Sequence, residues 1–129
     1  MTPALIGIDP SDMLLGLLSE ALPDASVGWD MPEGPGPKCM PTLSPGSSTT
    51  PVTQRMTLTL SCYAPQADGS CDWPEAARMF TKAVRAVLAG RKRHPLVDAA
   101  LQAGPVRQHD ARLDVDYAYG AVLLTVAAN

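Results

Sequence analysis

Between Trp73 and Leu88 the apolar residues Trp73, Ala76, Ala77, Phe80, Ala83, Val84, Val87 and Leu88 recur at steps of three and four. That spacing predicts an amphipathic helix from Trp73 to Ala89, with one stripe turned to a core. Its start is signalled by Asp72-Trp73-Pro74-Glu75, where Asp72 can cap and Glu75, three residues on, can reach back to the cap's own N–H. Gly90 is expected as a left-handed terminator, and the basic residues after it suit the negative end of the helix dipole.

A second helix is predicted from Asp9-Pro10-Ser11-Asp12 to about Leu22. Asp9 would cap it, Pro10 would take the first helical position, and Met13, Leu14, Leu17, Leu18, Ala21 and Leu22 would form its stripe. Pro23 stops it. Ala25 to Met31 reads as a strand with Val27 and Trp29 on one side. From Val52 to Tyr63 a period of two returns, with Gln54, Met56, Leu58, Leu60 and Cys62 facing one way and Arg55, Thr57, Thr59, Ser61 and Tyr63 the other.

The stretch Pro32 to Pro51 breaks this regularity. Pro32 to Pro37 cannot sustain pairing, Lys38 to Leu43 has room for a short edge strand interrupted by Pro41, and Ser44 to Pro51 reads as a mobile loop protruding from the core. Pro95 to Leu101 suggests a short helical turn. Gly104 to His109 and Leu113 to Val126 suggest antiparallel strands joined by Asp110-Ala111-Arg112, with Leu113, Val115, Tyr117, Tyr119, Ala121, Leu123 and Thr125 sharing a face. The final apolar run implies cover on both faces, by core on one and by a partner on the other. The expectation is one α+β domain over 1–129, two main helices on one mainly antiparallel sheet, with an extended loop at 32–51.

Composition narrows the function. A chain of 129 residues with 46% apolar positions has material for one core. The net charge of -3 argues against a surface built to neutralise phosphates, so no specific nucleic-acid recognition is expected. Arg91, Lys92, Arg93 and His94 are the local exception, and a helix C-terminus favours such cations without any partner. Cys39, Cys62 and Cys71 are odd in number and lack CxxC spacing, which fits a reducing cytoplasm. No apolar run approaches the roughly 20 residues of a membrane span.

Signs of catalysis are sparse. His94 and His109 have no second ligand at helical spacing, and no phosphate-binding, nucleophile-elbow or zinc-protease motif occurs, so neither an enzyme nor a metal or other cofactor is expected. Cys62 or Cys71 with a histidine would make a hydrolase or zinc site only on paper. Asp114 and Asp116, two apart on a predicted strand, share a face near Asp110, Arg107 and Arg112, where they could hold a cation, meet a neighbouring subunit or stand in solvent.

The layout resembles the small tail terminator, or tail completion, proteins of long-tailed bacteriophages. The similarity runs through the N-terminal helix, the short strand with its proline-rich continuation, the strand ending in Cys62-Tyr63-Ala64 and the helix from Glu75-Ala76-Ala77-Arg78 to Leu88. It ends in Gly104-Pro105-Val106-Arg107, with Asp110, Arg112 and Leu113 before the closing strand. The proline break within Lys38 to Leu43 departs from that family's usual continuous strand. The resemblance implies a structural virion protein, assembled in the host cytoplasm as a homohexameric ring. Such a ring caps the major tail tube protein, stops its polymerisation and joins a head-closure or connector protein. In that reading Arg55, Arg91, Lys92, Arg93, Arg107, Asp110, Arg112, Asp114 and Asp116 would be subunit or tail-tube contacts. Another neck component, a head-closure or adaptor protein, and a small nucleic-acid-binding regulator are the alternatives.

Overall fold

In the structure, a computed structural model, residues 7–49 and 52–128 are described. The fold is α+β: helices α1 (Ser11–Ala21) and α2 (Trp73–Ala89) lie with strands β1 (Ser26–Val27), β2 (Lys38–Thr49), β3 (Thr53–Tyr63), β4 (Leu96–Asp110) and β5 (Val115–Ala127). The sheet order is β1-β2-β3-β5-β4, antiparallel except for the parallel β1–β2 pair.

Helix α2 has the bounds its periodicity predicts, and Ala76, Met79, Phe80, Ala83, Val84 and Val87 are buried along it. The Asp72 side chain accepts from the Glu75 N–H at 3.3 Å. The reciprocal half of the capping box is replaced: the Asp72 N–H donates to the Ala64 carbonyl at 2.9 Å, and the Glu75 carboxylate pairs with Arg78. Gly90 ends the helix at φ -93°, so the expected left-handed terminator is corrected. Its lack of a side chain serves packing, because a Cβ there would stand 3.0 Å from Leu17 of α1.

Helix α1 begins one residue later than expected, with Pro10 preceding it, and the Asp9 carboxylate accepts from the Ser11 N–H at 3.0 Å. Leu14 and Leu18 are fully buried and join Met56, Leu58, Leu60, Cys62, Val122, Leu124 and Val126 of the sheet in a single core cluster with α2. Burial of this order, about 1.5–3 kcal/mol for each large aliphatic side chain, drives the helices onto one sheet face.

Three strand expectations are corrected. The strand at Ala25 to Met31 shortens to Ser26–Val27. The loop expected at Pro32 to Pro51 persists only before Lys38, where Gly34 and Gly36 take φ of 92° and 98°. From Lys38 to Thr49 the chain is strand, paired with β3 from Lys38↔Tyr63 to Thr49↔Gln54 with an irregularity between Pro45 and Thr49. Thr50 and Pro51, the end of the expected loop, lie outside the described residues.

The physical reason is the parity of the ladder. The Ser26 and Gly28 N–H groups donate to the Pro37 and Cys39 carbonyls, so the odd-numbered positions of β2 turn their backbone groups away from β3. Pro41 and Pro45 belong to that set, and their missing N–H groups cost no β2–β3 bond. The predicted turn at Pro95 to Leu101 is likewise strand, the first half of β4, which continues through Gly104-Pro105 by register shifts at 101/103 and 103/106.

Candidate functional site

The polar residues singled out by sequence divide among three places: the β4–β5 hairpin, the end of α2 and, for Arg55, β3. Around the β4–β5 hairpin, Arg107 and His109 pair in register with Ala118 and Asp116, which puts Arg107, His109 and Asp116 on the same sheet face. The Arg107 Nε donates to Asp116 Oδ2 at 2.8 Å, and its guanidinium carbon lies 5.5 Å from the centre of the Trp73 ring. His109 Nδ1 lies 2.8 Å from Asp116 Oδ1, and its Nε2 lies 3.3 Å from Asp114.

These contacts set the titration. The hydrogen bond from Arg107, then that of His109, holds the Asp116 carboxyl below the usual carboxylate range. The hydrogen bond to Asp116 pushes the His109 imidazole up. The expectation that Asp114 lies on the strand with Asp116 is corrected: it sits in the turn at φ 52°, and the two meet by flanking the same imidazole.

Asp110 closes the hairpin turn. Its Oδ1 accepts from the Arg112 N–H at 2.9 Å and the Leu113 N–H at 3.1 Å, and its Oδ2 accepts from the Tyr63 hydroxyl at 2.9 Å. The Leu113 N–H contributes most to keeping its carboxyl low, while burial and then the Asp110 carboxylate raise the Tyr63 phenol. Tyr63 stacks on Tyr117 with ring centroids 4.7 Å apart, and Tyr119 meets Tyr117 edge-on at 6.3 Å. This tyrosine row stands on the sheet face away from the helices. Sequence alternation put each ring on a strand face but could not bring Tyr63 beside Tyr117, because that depends on the β3–β5 register.

The basic run lies at the end of α2. The Arg91 guanidinium donates to the Leu88 carbonyl at 2.7 Å, a C-terminal cap made by a side chain. Lys92 and Arg93 are exposed, and Arg93 with His94 lines a shallow groove against Asp12 and Glu20 of α1. Arg55 is exposed on the open face of β3, far in sequence register from the hairpin cluster, and Arg112 is exposed in the turn. The expected contact residues are therefore a hairpin group, Arg107, Asp110, Arg112, Asp114 and Asp116, with Arg55 and the basic run standing apart from it.

Sequence reasoning gave less weight to the outer edge of the sheet. There β4 exposes Val97, Leu101 and Val106. Leu101 and Pro105 also border an apolar groove of about 210 Å³ with Phe80 and Val84 of α2. Among the described residues, no group of three or more His, Cys, Asp or Glu side chains could hold a metal ion. Comparison with family models, with curated proteins and with solved structures finds no match for the chain.

Proposed function

We propose that the protein is a structural assembly component of a phage tail, a terminator that caps the tail tube as a ring of identical copies and presents the surface to which the head is joined. The observation that supports this reading best is the β4 edge. Leu101 and Val106 are each 48% exposed there, and Ala99 to Val106 carries no charged residue. Edge strands of proteins that remain single are blunted by charge, proline or bulges, because their unpaired N–H and C=O groups otherwise invite another chain; this edge has Pro105 and register shifts but no charge between Ala99 and Val106. A head-to-tail contact along such an edge generates a closed ring when its rotation closes. The resemblance in element order and in the segment around Gly104-Pro105-Val106-Arg107 supports the tail assignment.

Light scattering on the chain, alone and mixed with tail-tube protein, tests the proposal. A sixfold mass in either condition, lost in Leu101→Asp, is the expected outcome; a monomer in both conditions overturns it. A ring that binds the head connector and ignores the tube would instead make the protein a head-closure or adaptor component.

A further inference from the structure

Beyond that assembly role, a pair of cysteines in the core has the geometry of a convertible bond. Cys39 of β2 and Cys62 of β3 are direct partners in the ladder, both fully buried, with their sulfur atoms 3.9 Å apart. Both are free thiols, as is the more exposed Cys71. The Cys39 carbonyl accepts from the Gly28 N–H at 3.2 Å, on the side away from β3, so the pair occupies a site without hydrogen bonds between its two members. Facing Cα atoms at such sites are about 4.5 Å apart. A disulfide spans Cα separations of about 4.4–6.8 Å, so the sulfurs can close to bonding distance by side-chain rotation with little movement of the backbone.

We propose that Cys39 and Cys62 are a redox-convertible pair that forms a cross-strand disulfide between β2 and β3 by exchange with a small-molecule disulfide such as oxidised glutathione. Cys39 is the entry point. Its strand is next to the edge of the sheet, flanked by β1, which pairs through only Ser26↔Lys38 and Val27↔Cys39, while its side chain lies in the core cluster beneath the helices. A segment held by so few ladder bonds opens more readily than the central strands. The Cys39 thiolate attacks one sulfur of the small disulfide and expels one glutathione thiolate. The Cys62 thiolate then attacks the Cys39 sulfur of the mixed disulfide and expels the second. Two protons leave the protein thiols and end on two glutathione thiols, and the two electrons of the new bond's formation reduce the small disulfide. Contact with Cys39, followed by burial, pushes the Cys62 thiol up, so it is a poor nucleophile until the segment opens.

The experiment exposes the folded chain to excess oxidised glutathione and follows intact mass, free-thiol count and a non-reducing peptide map. The expected result is a mass loss of about 2 Da, as two thiols give up their hydrogens. Titratable thiols fall from the three of the free chain to the one at Cys71. A single peptide pair should be linked, that of Cys39 with Cys62. In Cys71→Ser, which changes only a partly buried thiol at the border of the core, both remaining thiols should vanish and dithiothreitol should restore them. Retention of both core thiols, a mixed disulfide that persists on Cys39 or Cys62, or a protein disulfide that includes Cys71 each overturns the proposal; glutathione on Cys71 alone does not, and Cys71→Ser removes it.

Discussion

Gly120 of β5 lies against the ring of Phe80 from α2: a Cβ on Gly120 would fall inside contact distance of both the Phe80 ring and the Ala103 carbonyl. Helix α2 approaches the sheet this closely because the strand position under the ring has no side chain. The same ring sits 3.1 Å from the place where a Cβ on Gly104 would be, and Gly104 has φ 107° besides.

Replacing Gly120 with alanine should therefore destabilise the protein by about 1–3 kcal/mol, the usual cost of an overpacked core. Urea denaturation measures it. Phe80→Leu costs stability by itself, but in the Gly120→Ala background it should recover part of the loss, because ring atoms are among those in collision while the Ala103 carbonyl stays in place. Additive losses in the double variant would show that the collision is not with Phe80.

Gln54 is the most buried polar side chain in the sheet. Its Oε1 accepts from the Gly7 N–H at 3.0 Å and its Nε2 donates to the Gly46 carbonyl at 3.3 Å, tying the segment before α1 and the β2 strand to β3. Gln54→Leu fills similar space but leaves both backbone groups without those partners, and should lower stability by about 1–3 kcal/mol. Hydrogen exchange should quicken first at Gly7 and Ile8. Unchanged exchange there would refute the role assigned to the amide.

The capping of α2 gives a contrast between two acidic residues. Asp72→Ala removes the side-chain acceptor of the Glu75 N–H and should cost about 1 kcal/mol. Glu75→Ala should cost much less, since its carboxylate is engaged with the exposed Arg78 and does not return to the Asp72 N–H, which the Ala64 carbonyl already receives. Thermal unfolding of the two variants side by side decides it; equal losses would point to an intact capping box.

How far the fold was legible depended on whether each signal was local. The bounds of α2 follow from a period and a cap that lie within one segment, and the inward set Gln54, Met56, Leu58, Leu60 and Cys62 follows from simple alternation. Strand β2 was hidden because Pro41 and Pro45 read as breaks; only the pairing shows that both turn their nitrogens to the open edge. In β4, two register shifts around Gly104-Pro105 erase the period that would have marked a strand of 15 residues. The hairpin cluster was legible as composition but not as geometry. That His109 and Asp116 face each other is a property of register, which no residue in either strand announces.

That facing pair makes the hairpin sensitive to pH in a direction that can be worked out. His109 has its pKa raised above the ordinary 6.5 by the Asp116 hydrogen bond, so its favourable contact is fully present below 6.5 and is lost as pH rises through the higher folded value. Asp116 has its pKa lowered from 3.8, so its contribution is present above 3.8 and is lost as pH falls through the lower folded value. The ion cluster is thus complete between the ordinary carboxylate and imidazole ranges and loosens on either side. His109 is exposed and Asp116 partly so, and the effect should appear in local titration more than in global stability. NMR titration of the His109 ring should give a pKa above that of a solvated histidine. Asp116→Asn should bring it down, and should do so more than Asp114→Asn, whose carboxylate stands farther away at 3.3 Å. An imidazole that titrates identically in the parent and in Asp116→Asn would mean that the contact does not persist in solution.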